Sequence, residues 1–287
     1  MAKRKLVLTG ATGYVSGRML PALKERYDLT LLDIKTTDRD GNEVEDVQVV
    51  DLLNRDRDAY REYFRGADAV VHSGFKGTVD SKHTDFWKEY DNVMMCYNVY
   101  QTCMEEDVQR VVVMSSNHAA DFYEPLIWEK KLEFVTPDMI PLSDNFYGWG
   151  KISYEALGFV FATGSMHNGK RLENVQIRIG APREMGMGRV ENLTRMHREL
   201  GAYLSVRDQV QLVVKSIETE DIKNEYGVPF QIFYGISGNS HRFWGISNAT
   251  RVIGYVPEDN SQVKFAEKVA QEIRAARKDY PEEEETV

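Results

Sequence analysis

The chain has 287 residues, 42% hydrophobic and 28% charged, with a formal net charge of −9. That length and composition describe a packed globular chain, one large α/β domain or a nucleotide-binding domain with a smaller lobe, and exclude global disorder. The acidic balance argues against nucleic-acid or anionic-membrane partners, which need a basic patch, and leaves small-molecule chemistry as the better expectation.

The apolar run Leu6-Val7-Leu8 stops at Thr9-Gly10, too short for a signal-peptide core, and no run approaches a membrane span. Residues 5–8 read as a buried strand, 15–27 as a helix, 29–33 and 47–51 as the second and third strands. Residues 57–64 look helical and 69–72 strand-like, so the repetition is βαβ and the sheet parallel. A long helical pattern at 86–106 carries Cys96 and Cys103 on one face, where they read as buried thiols, consistent with a reducing cytoplasm. The histidines form no metal-ligand pattern. Residues 110–114 are an almost pure β-branched run, the mark of a strand buried on both faces. A long irregular stretch follows at 118–145, of the kind usually ordered by function. Residues 147–163 predict a second long helix and 175–179 a strand. Beyond Gly180 the pattern predicts helices at 190–204 and 208–218, a strand at 230–234 and a closing helix at 263–277. Residues 281–285 are an acidic run that reads as a solvated tail.

A glycine turn, Gly10-Ala11-Thr12-Gly13-Tyr14-Val15-Ser16-Gly17, lies directly between the first strand and the first helix. There the backbone can approach a pyrophosphate and the helix N-terminus can face its charge. Ser16 replaces the third glycine of the usual pattern, a packing position where a small serine is tolerated. Asp33 closes the second strand 23 residues after Gly10, where a carboxylate accepts hydrogen bonds from adenine-ribose hydroxyls and repels a 2′-phosphate. NAD is favoured over NADP, although Lys35 is near; a strand-end cap is the plain alternative for Asp33. Asp51 and Leu52 are candidates for the adenine edge.

Tyr147 and Lys151 stand one helical turn apart on the same face of a starting helix. To act as a base near neutrality, a tyrosine with an ordinary pKa of about 10 must fall by roughly three pH units, about 4 kcal/mol. A nearby lysine and a nicotinamide charge can supply that. The pair gains weight from Ser115-Ser116-Asn117-His118 at the end of the apolar strand.

Together the glycine turn, Asp33, the strand-end serines and Tyr147/Lys151 resemble the extended short-chain dehydrogenase/reductase family across roughly residues 3–260. The resemblance implies an α/β fold with a Rossmann-type doubly wound parallel sheet and a small C-terminal substrate-binding lobe. Residues 1–180 would form the NAD-binding domain, 181–280 mainly the lobe, interleaved with it, and 281–287 the acidic tail. It further implies that Ser116 holds the reacting hydroxyl or carbonyl, Tyr147 exchanges its proton, and Lys151 holds the nicotinamide ribose and lowers the tyrosine pKa. His72-Ser73-Gly74 would lie along the cofactor, and Asn92 matches the family's helix asparagine, though a structural role would explain it equally.

Within the family, Ser115-Ser116-Asn117-His118, Ile177-Arg178-Ile179-Gly180 and Trp244-Gly245-Ile246-Ser247-Asn248 are similar to NAD-dependent sugar dehydrogenases of the uronate dehydrogenase type. Those oxidise the anomeric carbon of a free sugar acid to a lactone. By this likeness Ser116, Asn117 and His118 would contact substrate, with Lys76 and Ala181 further candidates; Ala181 stands where the uronate enzymes have serine. Arg195 and Arg198 both remain possible matches for a carboxylate-binding arginine, and a guanidinium suits a carboxylate, phosphate or sulfonate. An NAD-retaining sugar epimerase or dehydratase is the alternative, and a non-catalytic nucleotide-sensing protein a remoter one. The resemblance also implies a homodimer through the two long helices.

Overall fold

The computed structural model describes residues 3–77, 85–183 and 193–278; the acidic tail lies outside them. Short apolar runs form a seven-stranded sheet: β1 (Lys5–Thr9), β2 (Asp28–Asp33), β3 (Val47–Val49), β4 (Ala69–His72), β5 (Arg110–Ser116), β6 (Glu173–Ile179) and β7 (Phe230–Gly235). Their order is β3-β2-β1-β4-β5-β6-β7, and every pairing is parallel. All residues of β4 and β5 are buried, as their unbroken hydrophobic character requires.

Alternation along the strands feeds two cores. Leu6 and Leu8 of β1 point to one, with Met19 and Leu23 of α1 (Tyr14–Arg26) and Leu212 and Val213 of α6 (Val206–Glu218). Val7 points to the other, with Cys96, Val99 and Tyr100 of α2 (Phe86–Glu105) and Tyr154 and Phe161 of α4 (Phe146–Thr163). Both cysteines are buried there. Helices thus cover both faces, and the expected Rossmann-type α/β fold is what the chain adopts.

Residues 57–64 are not an α-helix: they form two 3-10 turns, Arg57–Ala59 and Arg61–Phe64, parted at Tyr60, whose buried ring sends its hydroxyl to the Asn54 carbonyl at 3.1 Å. The stretch 118–145 contains a 3-10 turn, Asn117–Tyr123, and the short α3 (Glu124–Trp128). Val135 donates to the Phe243 carbonyl (2.7 Å) and accepts from Gly245 N–H (2.9 Å), tying this stretch to the late segment 243–246. Its side chain joins Ala181, Tyr234, Phe243 and Trp244 in a third core. After Gly180, Met196 and Leu200 of α5 (Leu193–Ala202) pack with Val269 in a small separate cluster, whereas α6 covers one face of the sheet and β7 completes its edge. The closing helix is broken at Phe265 into α8 (Ser261–Lys264) and α9 (Ala266–Lys278), and α7 spans Ser247–Ile253.

Because the chain crosses from β3 at one edge to β4 beside β1, a topological switch point opens at the C-terminal ends of β1 and β4. Ligands of such sheets bind in that crevice.

Candidate active site

Gly10 leaves β1 at φ +66°, and a Cβ there would stand 2.7 Å from the Ser73 carbonyl and the Gly74 nitrogen, so only glycine lets the two switch-point loops meet. Asp33 Oδ2 accepts from Thr12 N–H (2.9 Å) and Thr12 Oγ1 (2.8 Å), while Oδ1 accepts from Ile34 N–H (2.7 Å). The strand-end carboxylate therefore shapes the turn it faces. Helix α1 starts at Gly13 with no side-chain cap and no acidic residue in its first turn, leaving N–H groups and a positive dipole end suited to a phosphate.

Tyr14 lies under the Arg39 guanidinium, 3.9 Å from ring centroid, and Val15 accepts at its carbonyl from Gln209. Asp51 is exposed and caps its own turn through Leu53 N–H; buried Leu52 holds Asn98 by its carbonyl. His72 Nδ1 lies 2.7 Å from Thr9 Oγ1, and burial, with Lys151 adding, holds its imidazole down to about 3, hence neutral. His72 Nε2, Ser73 Oγ and Asn117 Nδ2 are buried polar atoms with no hydrogen-bond partner among the described residues. Orphaned polar atoms, a glycine turn and an open helix N-terminus around one crevice fit a dinucleotide.

Ser116 ends β5 and Tyr147 stands in the first turn of α4, near enough for the serine hydroxyl to act on the phenol. Asn145 caps α4 by accepting from Gly148 N–H at 2.9 Å. Gly148 makes this approach possible: a Cβ there would fall 2.2 Å from the His118 carbonyl oxygen and 2.0 Å from Ser143 Oγ. One turn on, buried Lys151 donates to the Met114 carbonyl (3.2 Å) and sits 4.8 Å from the Phe75 ring and 4.6 Å from the Tyr154 ring. Burial pushes the Tyr147 phenol up to about 12 and pulls the Lys151 ammonium down to about 8. Ser116 acts to lower the phenol, and Glu89 raises both groups. Burial thus works against the charged form of each and outweighs the groups nearby, although Lys151 at about 8 still carries its proton at pH 7.

Asn117 is buried, its Oδ1 3.4 Å from Ser116 Oγ. The His118 ring stands edge-on to Tyr147 with centroids 5.3 Å apart, and its Nδ1 is 2.6 Å from Asp121 Oδ2, which also accepts from Asn145 at 2.9 Å. Of the two candidate arginines on α5, Arg198 gives its Nε to both Glu124 oxygens (2.8 and 3.0 Å) and brings Nη2 within 4.0 Å of Asp121. Arg195 is exposed, and with Trp128, Thr194, Arg198 and Glu199 lines an open cavity of about 550 Å³. Ala181 is buried, pairing by backbone with Ala202 and Leu204.

Asn92 of α2 turns both ends of its amide to the Lys76 backbone (2.7 and 3.2 Å), so it fixes the loop after β4; the Lys76 ammonium reaches outward to Asp91.

Asp121, Glu124, Glu155, Glu89 and Phe75 escape the sequence reading. Glu155 lies one turn beyond Lys151 and pairs both oxygens with fully buried Arg178 (2.8 and 2.7 Å), while Oε1 also accepts from Ser115 (2.8 Å). Glu89, with no exposed surface, pairs with Lys88 at 2.7 Å and packs beneath Gly150. The i+4 spacing of Lys151 and Glu155 was a visible signal; nothing local marks their partners. Among the described residues no group of three or more His, Cys, Asp or Glu could hold a metal, and no helix is long and apolar enough to cross a membrane.

The family model for the "NAD dependent epimerase/dehydratase family" matches residues 6–151, more than half the chain. The chain belongs to this family. L-arabinose 1-dehydrogenase (NAD(P)(+)) of Haloferax volcanii is 30% identical over 90% of this chain and 97% of its own. The NAD-dependent glucose-6-phosphate dehydrogenase of the same organism is 27% identical over 89% and 94%. The crystal structure of uronate dehydrogenase from Agrobacterium tumefaciens superposes with a TM-score of 0.72 at 24% identity, covering 94% of this chain and 90% of that one. The member described here is an NAD-dependent oxidoreductase of the sugar dehydrogenase kind.

Proposed function

We propose that this chain oxidises the anomeric hydroxyl of a free aldose or aldose-derived acid to the lactone, with NAD as the hydride acceptor. The observation that carries this reading is the convergence of Ser116 at the end of β5, Tyr147 in the first turn of α4 and Lys151 one turn further on, at the C-terminal edge of the sheet beside the glycine turn. Ser116 holds the C1 oxygen, and Tyr147 takes its proton as the hydride leaves. When bound, NAD supplies the hydride acceptor and a positive charge that favours the phenolate, offsetting the desolvation that otherwise holds Tyr147 neutral. Lys151, anchored on the Met114 carbonyl, is set to hold the ribose and to carry the proton onward. Asn117 Nδ2 and His118, oriented by Asp121, are the donors and acceptors for ring hydroxyls. Asp33 at the ribose edge selects NAD. The relative named for oxidising L-arabinose at C1 supports the position of attack.

The same reading includes a cytoplasmic homodimer through the outer faces of α2 and α4, where Trp87, Phe146, Phe159 and Val160 are exposed. The test is NADH formation at 340 nm from NAD with a panel of aldoses, uronic acids and sugar phosphates. One sugar class oxidised, with Tyr147→Phe reduced at least 1000-fold, is expected; no turnover on the panel, with NAD co-purifying, would replace this reading by the epimerase.

A further inference from the structure

We propose that the substrate corner selects an uncharged aldose and disfavours its carboxylate or phosphate counterpart, because Arg198 is already neutralised by Glu124 and Asp121. The inference rests on the dehydrogenase reading and names its substrate class. From Tyr147 outward the contacts run through the His118 ring, 5.3 Å away, to Asp121 at 2.6 Å, then to Arg198, whose Nε is gripped by both oxygens of Glu124. All three charged groups are largely sequestered, with side-chain exposures of 15% for Asp121, 15% for Glu124 and 23% for Arg198. The guanidinium also lies 5.8 Å from the Trp244 ring, so its rotamer is held from below as well as from the side.

Within this corner the Arg198 guanidinium already faces two carboxylates, Glu124 at 2.8 Å and Asp121 at 4.0 Å. A sugar anion entering it meets repulsion and must compete with Glu124 for Arg198 in a partly desolvated setting, where both effects are strong. A neutral polyol does the reverse: its hydroxyls donate to Asp121 and Glu124, and carboxylates are strong acceptors. Asp121 Oδ1 is buried and makes no hydrogen bond among the described residues; Arg198 Nη2 stands against it at 4.0 Å, longer than a hydrogen bond, which leaves its capacity to accept unused. A neighbouring feature agrees: Arg183 is likewise paired, with Glu199 at 3.3 Å, the residue that follows Arg198 on α5.

The test compares kcat/KM for matched pairs, glucose with glucuronate and galactose with galacturonate, and also L-arabinose, in wild type and Glu124→Gln. Wild type is expected to prefer the uncharged member by at least 10-fold, and Glu124→Gln, which releases Arg198 from its ion pair, to shift the ratio toward the uronate by about 10-fold. Calorimetry of the same sugars on NAD-loaded Tyr147→Phe reads the preference without turnover. Uronates bound or oxidised as well as their neutral partners would overturn the inference and leave the dehydrogenase standing. Neutral sugars bound selectively but never oxidised would uphold the inference and sink the proposed reaction.

Discussion

Replacing Lys151 by Met should make the protein more stable while abolishing its activity. An ammonium held at about 8 against an ordinary 10.5 is carried by the folded chain at a cost of about 3 kcal/mol at pH 7. Methionine fills a similar volume with no charge to desolvate. It forgoes the bond to the Met114 carbonyl and the approach to the Phe75 and Tyr154 rings, worth about 1 kcal/mol together. The net gain is about 2 kcal/mol, or a Tm higher by roughly 3 °C for a chain of this size. The pH dependence identifies the cause. Since the folded value lies below the unfolded one, the unfolded chain binds the extra proton between pH 8 and 10.5. The wild-type deficit is therefore full below pH 8 and disappears as the pH rises through 10.5. Urea unfolding of both proteins at pH 7 and pH 10.5, without NAD, measures it. A variant less stable than wild type at pH 7, or an advantage that persists unchanged at pH 10.5, would rule out desolvation of Lys151 as the cause.

Asp33→Asn removes the charge and turns one of the two oxygens that accept from Thr12 and Ile34 into a donor; NAD affinity by calorimetry should drop about 10-fold, and discrimination against NADP should narrow. Gly148→Ala forces a Cβ onto the His118 carbonyl, costing about 2–4 kcal/mol in urea melts and, by moving the start of α4, about 100-fold in kcat. Glu155→Gln strands the buried Arg178 guanidinium and should cost about 3–5 kcal/mol, much of it regained by Arg178→Met in the same chain.

Much of the architecture was legible because it is written in local patterns. The valines of β5 could only be a strand buried on both faces, and the glycine turn after β1 had the right elements on either side. Tyr147 and Lys151 shared a helical face by spacing alone. Tyr60 broke an apparent helix because its ring is needed in the core, a demand that periodicity does not carry. The return of β7 to the sheet edge is a contact between residues 174–179 and 230–235, invisible to local alternation across so long an intervening stretch. The charged layer behind the site was hidden for the same reason. Glu124 and Arg198 lie 74 positions apart, and Arg178 reaches back 23 to Glu155, so an arginine that looks available for a ligand in the sequence is already paired in the fold.

The fate of the C1 hydrogen separates net oxidation from epimerisation. An aldose oxidised in the panel is prepared with deuterium at C1 and incubated with NAD, and the products are examined by NMR and mass spectrometry. The proposed chemistry predicts one deuterium in the reduced nicotinamide for each lactone formed, together with a primary isotope effect on turnover when hydride transfer limits the rate. Deuterium retained in the sugar, with NAD returned unchanged, would contradict it.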